Sequence, residues 1–324
     1  MPAKGWGRFD RGMRSLVWMS VMLVAGCDPP GGHTSGPSAT VAATASATIA
    51  ATASATGSAT TAEACDPSCA SVERCDDGRC VPACPKGEVY IPATGSDGFM
   101  LGDDEERNAR HKVILTKPFC MDATEVTVNA YKECVEAGKC EAPRQWGMWI
   151  NYPKLGDHPV NKVHWNHAKT YCEFRDQSLP TEAQWEWAAR GGGDDKWAWG
   201  NDEPTCEHAD FTPGTLESGS SDDGCHGGGT SPVGAHPKGD RETPHGTLHD
   251  LSGNVWEWCL DNFLPYPTEP QTDPAPLEAA NNAHVVRGGG WNRSAKGIRV
   301  DFRGGSAVDY QVPGLGFRCV RNAK

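Results

Sequence analysis

The sequence predicts an α+β fold in which loops outnumber regular elements, carried behind an export leader. Three observations point there. Helix and strand signals are short, and stretches rich in Gly (38 residues) and Pro (24 residues) separate them. Twelve Trp require a substantial core somewhere in the 324 residues. Fourteen Cys in a chain with an export signature are expected to be mostly paired.

The leader comes first. Lys4, Arg8, Arg11 and Arg14 precede a mostly apolar run of 11 residues, Ser15–Ala25, too short to span a bilayer and suited to a cleaved signal over residues 1–26. It ends Leu23-Val24-Ala25-Gly26-Cys27, which resembles a bacterial lipobox. Cys27 is therefore the expected lipidation site, and the membrane a partner through that anchor. The leader carries net +3 (Lys4, Arg8, Arg11 and Arg14 against Asp10), so the whole-chain charge of −12 becomes −15 after cleavage. Such an acidic surface repels phosphate backbones and excludes nucleic-acid binding as a primary role.

Residues 27–63 form an Ala/Thr/Ser tract without apolar periodicity, expected to be a disordered linker that lifts the rest off the membrane. Residues 64–86 hold Cys65, Cys69, Cys75, Cys80 and Cys84 around an Asp76-Asp77-Gly78 turn. The export signal favours a small disulfide module over a zinc site, although five Cys cannot all pair among themselves. The acidic run Asp103-Asp104-Glu105-Glu106 reads as a solvated loop.

The main domain spans 87–324. Helices are predicted from Thr127 to Glu136, from Asn166 to Arg175, and from Thr181 to Arg190, where Thr181 and Gln184 fit a capping box. In the last helix Trp185, Ala188 and Ala189 read as a core face, and Glu182 and Glu186, four apart, as a solvated one. In Trp256-Glu257-Trp258 the alternation buries one Trp and turns Glu257 the other way, toward an adjacent loop. His164-x-x-His167 opens a helix and reads as capping or surface histidines. Arg299-x-Asp301-x-Arg303 reads as an ion-pair ladder on one extended face.

Six segments, in order, resemble the formylglycine-generating (sulfatase-modifying factor) family: Phe119–Thr127 (FCMDATEVT), His158–Asn161 with Trp165, Ser178–Gly192 (SLPTEAQWEWAARGG), Leu251–Trp258 (LSGNVWEW), Arg287–Trp291 (RGGGW) and Gly316–Cys319 (GFRC). The resemblance implies a C-type lectin-like fold. It also implies a copper-binding Cys pair, because soft thiolates suit Cu(I). Here those two positions are Arg293 and Ile298, so no copper and no formylglycine generation are expected. A second branch of the family uses nonheme iron, with its histidines largely on an extra helical domain that this sequence lacks.

Two structural calcium sites are implied by the same resemblance. One maps to Asp250, Gly253, Val255 and Glu257, the other to Asp210, Phe211, Asp223 and Cys225, with carbonyls supplied by Gly253, Val255, Phe211 and Cys225. Such mixed carboxylate and carbonyl shells suit Ca²⁺. The family also implies a Cys172–Cys319 disulfide. Cys206 and Cys225 flank the second calcium loop and are expected to pair, Cys134 and Cys140 to close a helix end, and Cys120 and Cys259 are left for each other. Three functional readings follow: a binding or accessory module for an extracytoplasmic protein or glycan, a metal-dependent oxidoreductase, and an envelope structural component.

Overall fold

A computed structural model describes residues 73–76, 79–103, 109–214, 224–275 and 282–323, all within the unit Thr60–Lys324. The leader (1–26), Cys27 and the linker 27–63 lie outside the described residues, as do Cys65, Cys69, Asp104, Glu105, Glu106 and Asp223.

Regular elements are short, as the Gly and Pro content implies. The strands are β1 (Glu73–Asp76), β2 (Arg79–Pro82), β3 (Glu88–Ile91), β4 (Phe99–Leu101), β5 (His111–Ile114), β6 (Phe119–Asp122), β7 (Arg241–Thr243), β8 (Gly246–Leu248), β9 (Trp256–Asn262), β10 (Gln271–Thr272), β11 (Ala283–Arg287), β12 (Gly304–Ala307), β13 (Leu315–Gly316) and β14 (Val320–Asn322). The helices are α1 (Val128–Glu136), α2 (Trp165–Phe174) and α3 (Glu182–Arg190). Among the described residues the strands form five small sheets: β12-β11-β9-β13, β14-β6-β3, β10-β5-β4 and the hairpins β1-β2 and β7-β8.

The three helices form where the caps place them. Thr127 caps α1 by accepting from Ala130 N, and Val128, Tyr131 and Cys134 recur on its buried face. His164 caps α2 by accepting from His167 N, the capping role read from the sequence. Thr181 and Gln184 close a reciprocal capping box on α3.

One feature of α3 departs from expectation. Glu182 and Glu186 do not form a solvated face; they are 2% and 0% exposed. Burial is tolerated because cations come with them. Glu186 accepts from Arg190 Nε at 2.8 Å and from Gly102 N at 3.0 Å, and it pairs with Arg287. Glu182 accepts from Arg303 Nε and from the Tyr266 hydroxyl, both at 2.8 Å. Arg303 is thereby drawn away from the expected ladder, of which only the Arg299–Asp301 pair (Nε to Oδ1, 2.8 Å) forms.

β9 also differs from the alternating pattern. It is an inner strand, with β11 antiparallel on one side and β13 parallel on the other. Both its faces are covered, so Trp256, Glu257 and Trp258 are all buried. Glu257 accepts from Arg318 through both oxygens, at 2.7 and 2.8 Å, and from Trp185 Nε1 at 2.8 Å. Arg318 spends its remaining donors on the carbonyls of His249 (2.8 Å) and Asp122 (3.2 Å), joining α3, β6, β9 and the C-terminal strands.

Disulfides supply what short elements cannot. Cys172–Cys319, Cys134–Cys140 and Cys206–Cys225 form as expected. The first closes a separation of 147 residues and is worth about 4–5 kcal/mol in chain-entropy terms. The expected Cys120–Cys259 bond does not form. Cys120 pairs with Cys84, which ties the Cys-rich segment to β6, and Cys259 is a buried free thiol inside β9. The odd fifth cysteine of the 64–86 segment thus has its partner in the main domain. Among the described residues no helix is long and apolar enough to cross a membrane, and the disulfides fit an oxidising compartment.

Two outcomes follow. Arg318→Ala leaves Glu257 buried without its counter-charge and is expected to destabilise by about 3–5 kcal/mol in urea unfolding. Asp261, beside Glu182, has its carboxyl pushed up to about 8 by burial and by the Glu182 charge. Its folded form therefore binds the proton more tightly than the unfolded chain, whose value is about 4. Stability from this site is intact below that value and is lost as pH rises toward 8. Asp261→Asn, which can still accept from Glu182 N, is expected to show a smaller fall in Tm between pH 5 and pH 8 than the parent.

Candidate functional site

The loop after β11 carries the two positions at which the sequence resemblance expects thiols. Gly289 lets the chain turn there: its φ is +73°, and a Cβ would lie 2.3 Å from the Gly297 carbonyl oxygen. Arg293 is half-buried, with its guanidinium 5.5 Å from the centre of the Trp256 ring. Burial pulls its pKa below the usual arginine value; the group stays charged. Ile298 is fully buried with Trp197, Ala209 and Phe211. A cation on an indole face and a sealed aliphatic side chain stand where the resemblance expects two sulfurs. Neither offers a lone pair to a soft metal.

Next to this loop, Trp149 packs 5.7 Å from Trp291. That contact brings the 146–149 segment, with exposed Trp146 and Met148, to the chain two residues before Arg293.

In the first predicted calcium loop, Asp250 and Glu257 both face Arg318. Asp250 sits at φ +57° and accepts from Gly234 N through Oδ2 at 2.6 Å. Gly253 has φ +100°, and a Cβ there would stand 2.4 Å from the Asp210 carbonyl oxygen. Val255 leads into β9, two residues before Glu257.

A residue missed in the sequence, Glu125, joins them. It is 1% exposed, and neither carboxylate oxygen has a hydrogen-bond partner. Burial raises its pKa well above the carboxylate range. The charges of Asp250 and Glu257 raise it further, against Arg318. Burial likewise raises Asp250. Three buried carboxylates thus share one guanidinium. Glu125 lies inside the FCMDATEVT segment, but nothing local in the sequence says that its side chain turns inward.

The second predicted calcium loop packs against the first, since Asn254 N donates to the Asp210 carbonyl at 3.0 Å. Phe211 O accepts from Cys225 N at 3.0 Å, so both predicted carbonyl residues lie together. The Asp210 side chain faces two imidazoles, His226 at 3.4 Å and His236 at 3.5 Å. Neither histidine was singled out by spacing, because sixteen and twenty-six residues of loop separate them from Asp210.

Residues 81–323 match the family description "Sulfatase-modifying factor enzyme 1-like domain". The chain belongs to this family. Relatives in the sulfatase-modifying factor family include the mouse "Inactive C-alpha-formylglycine-generating enzyme 2", 37% identical over 173 residues, which covers 51% of this chain and 49% of that protein. The "Formylglycine-generating enzyme" of Streptomyces coelicolor is 37% identical over 190 residues, covering 52% of this chain and 54% of that protein. The chain spans about half the length of the curated relatives it matches. Among solved structures, "Treponema denticola variable protein 1" aligns with TM-score 0.55 at 24% identity, covering 72% of this chain and 94% of that one. PvdO from Pseudomonas aeruginosa aligns with TM-score 0.55 at 23% identity and the same coverage. These two likenesses bear on the fold alone, and they agree with the lectin-like architecture expected from the sequence.

Proposed function

We propose that this member of the sulfatase-modifying factor family does not generate formylglycine, and that it acts as an exported, membrane-tethered module that binds a protein or glycan. The observation that carries this reading is the replacement of the thiol pair by Arg293, stacked on Trp256, and Ile298, enclosed by Trp197 and Phe211. Copper held by two sulfurs has no ligands there. The likeness to a mammalian relative named inactive supports the same reading. Exposed Trp146 and Met148 beside the Arg293 loop supply the mixed aromatic and cationic surface that recognition sites favour. The tether rests on the lipobox-like Leu23–Cys27 and the linker after it.

Calcium belongs to this reading as a structural ion. The residues that would hold it are Asp250, Glu257, the carbonyls of Gly253 and Val255, and Glu125. Three buried carboxylates against one arginine leave uncompensated negative charge, which is costly in a protein interior. A hard divalent cation neutralises such a cluster and accepts this oxygen set. At the second implied site the Asp210 carboxylate faces two imidazoles instead, so calcium is proposed at the first site only.

A peptide containing Cys-x-Pro-x-Arg, incubated aerobically with the purified protein and Cu(I), is expected to yield no aldehyde captured by a hydrazide probe. Aldehyde formation would overturn the reading. Elemental analysis is expected to find calcium and no stoichiometric copper. Free Ca²⁺ at about 100-fold above its Kd should raise stability by about 2.7 kcal/mol. Glu125→Gln keeps that buried side chain neutral and unable to become a carboxylate ligand. It is expected to match or exceed the parent's Tm in EGTA while losing most of the calcium-dependent gain.

A further inference from the structure

We propose that Asp210, His226 and His236 form a binding site for a divalent first-row transition metal, with Zn²⁺ as its representative, which leaves a coordination position open on the His226 side. One ligand atom from each residue lies within 4.8 Å of the others. The Nε2 atoms of His226 and His236 stand 3.4 and 3.5 Å from Oδ1 and Oδ2 of Asp210. These separations are too long for good hydrogen bonds. Each, to its own carboxylate oxygen, is close to the edge of a tetrahedron, about 3.4 Å, around an ion with bonds of about 2.1 Å.

The carboxylate is placed for such an ion. Asp210 is 2% exposed, and its Oδ2 has no hydrogen-bond partner within normal geometry. The two imidazoles lie nearly parallel, 19° apart with centroids 5.7 Å from each other, and His236 is the one that faces that oxygen. His236 Nε2 also lies 3.4 Å from Ser231 Oγ.

The loop that presents the histidines is held from several directions. The Cys206–Cys225 disulfide and the Cys225 N to Phe211 O bond fix the residue before His226 against the residue after Asp210. Gly234 N donates to Asp250, Ser231 N donates to Asn254 Oδ1 at 3.1 Å, and Gly239 N donates to the His236 carbonyl at 2.8 Å.

Donor chemistry selects the ion. Imidazole nitrogens suit zinc, copper, nickel and iron, whereas calcium takes oxygen. The loop that carries one of the implied calcium sites therefore presents a nitrogen-rich face through its side chains. Three protein ligands with His226 57% exposed leave room for water or an oxygen of a bound partner. This site stands independently of the accessory-module reading.

The full chain, isolated from an oxidising compartment without a histidine tag, is stripped of transition metals and titrated with Zn²⁺ in buffer saturated with Ca²⁺. One equivalent is expected, and Co²⁺ in its place is expected to give visible d–d bands of a low-coordinate site. His226→Ala and His236→Gln should each weaken Zn²⁺ binding at least tenfold, that is by ~10-fold or more. The exposed position of His226 makes its variant the decisive one should His236→Gln fail to fold, as judged by near-UV circular dichroism. The proposal is overturned by a parent protein that binds no Zn²⁺, by a His226→Ala variant with unchanged affinity, or by release of the bound Zn²⁺ in excess Ca²⁺.

Discussion

Glu257 and Arg318 meet where no water reaches either, and much of the domain is arranged around that pair. Both are 0% exposed. Taking two charges out of water is tolerable only when geometry and additional hydrogen bonds satisfy them. Here Trp185, the His249 carbonyl and the Asp122 carbonyl complete the set. Each of these partners comes from a different stretch of chain, so one ion pair fixes the relative positions of a helix, two sheets and a loop. Glu186 with Arg287 and Arg190, and Glu182 with Arg303, repeat the same solution nearby. In a domain with little regular structure, such directional contacts supply the specificity that long helices or wide sheets supply elsewhere.

The same network explains which parts of the structure were legible in the sequence. Helices announced themselves because caps are local: Thr127, His164 and Thr181 act on backbone groups three residues away. Cys172–Cys319 was legible only through family resemblance. Glu182, Glu186 and Glu125 were misjudged or missed because a carboxylate has the same local appearance whether it faces solvent or a distant guanidinium. For Glu182 and Glu186 those partners lie up to 121 residues away in sequence, as with Glu182 and Arg303. Cys259 was misassigned for a related reason. Pairing by elimination ran among the main-domain cysteines alone, whereas Cys84 of the preceding segment reaches Cys120.

The positions at which the resemblance expects thiols and the loops at Asp210 and Asp250 differ in how they are built into the fold. At Arg293 and Ile298 a loop of fixed shape is retained, and the scaffold around it, from Gly289 to Trp256, needs no sulfur to hold its form. Catalytic ligands are thus separable from the fold that displays them. The loops at Asp210 and Asp250, by contrast, are part of the packing: Asn254 N bonds Asp210 O, and Gly253 leaves no room for a side chain against it. Loss of those contacts would open the interior itself.

Arg318 has one more consequence, for the order in which the protein can acquire its shape. Glu125, Asp250 and Glu257 all precede it in the chain, and the contact between Ala123 O and Arg318 spans 195 residues. A nascent polypeptide therefore carries three unbalanced acids destined for the interior until the ribosome has added the one base that quiets them. Contacts of such long sequence separation make for slow closure once synthesis ends.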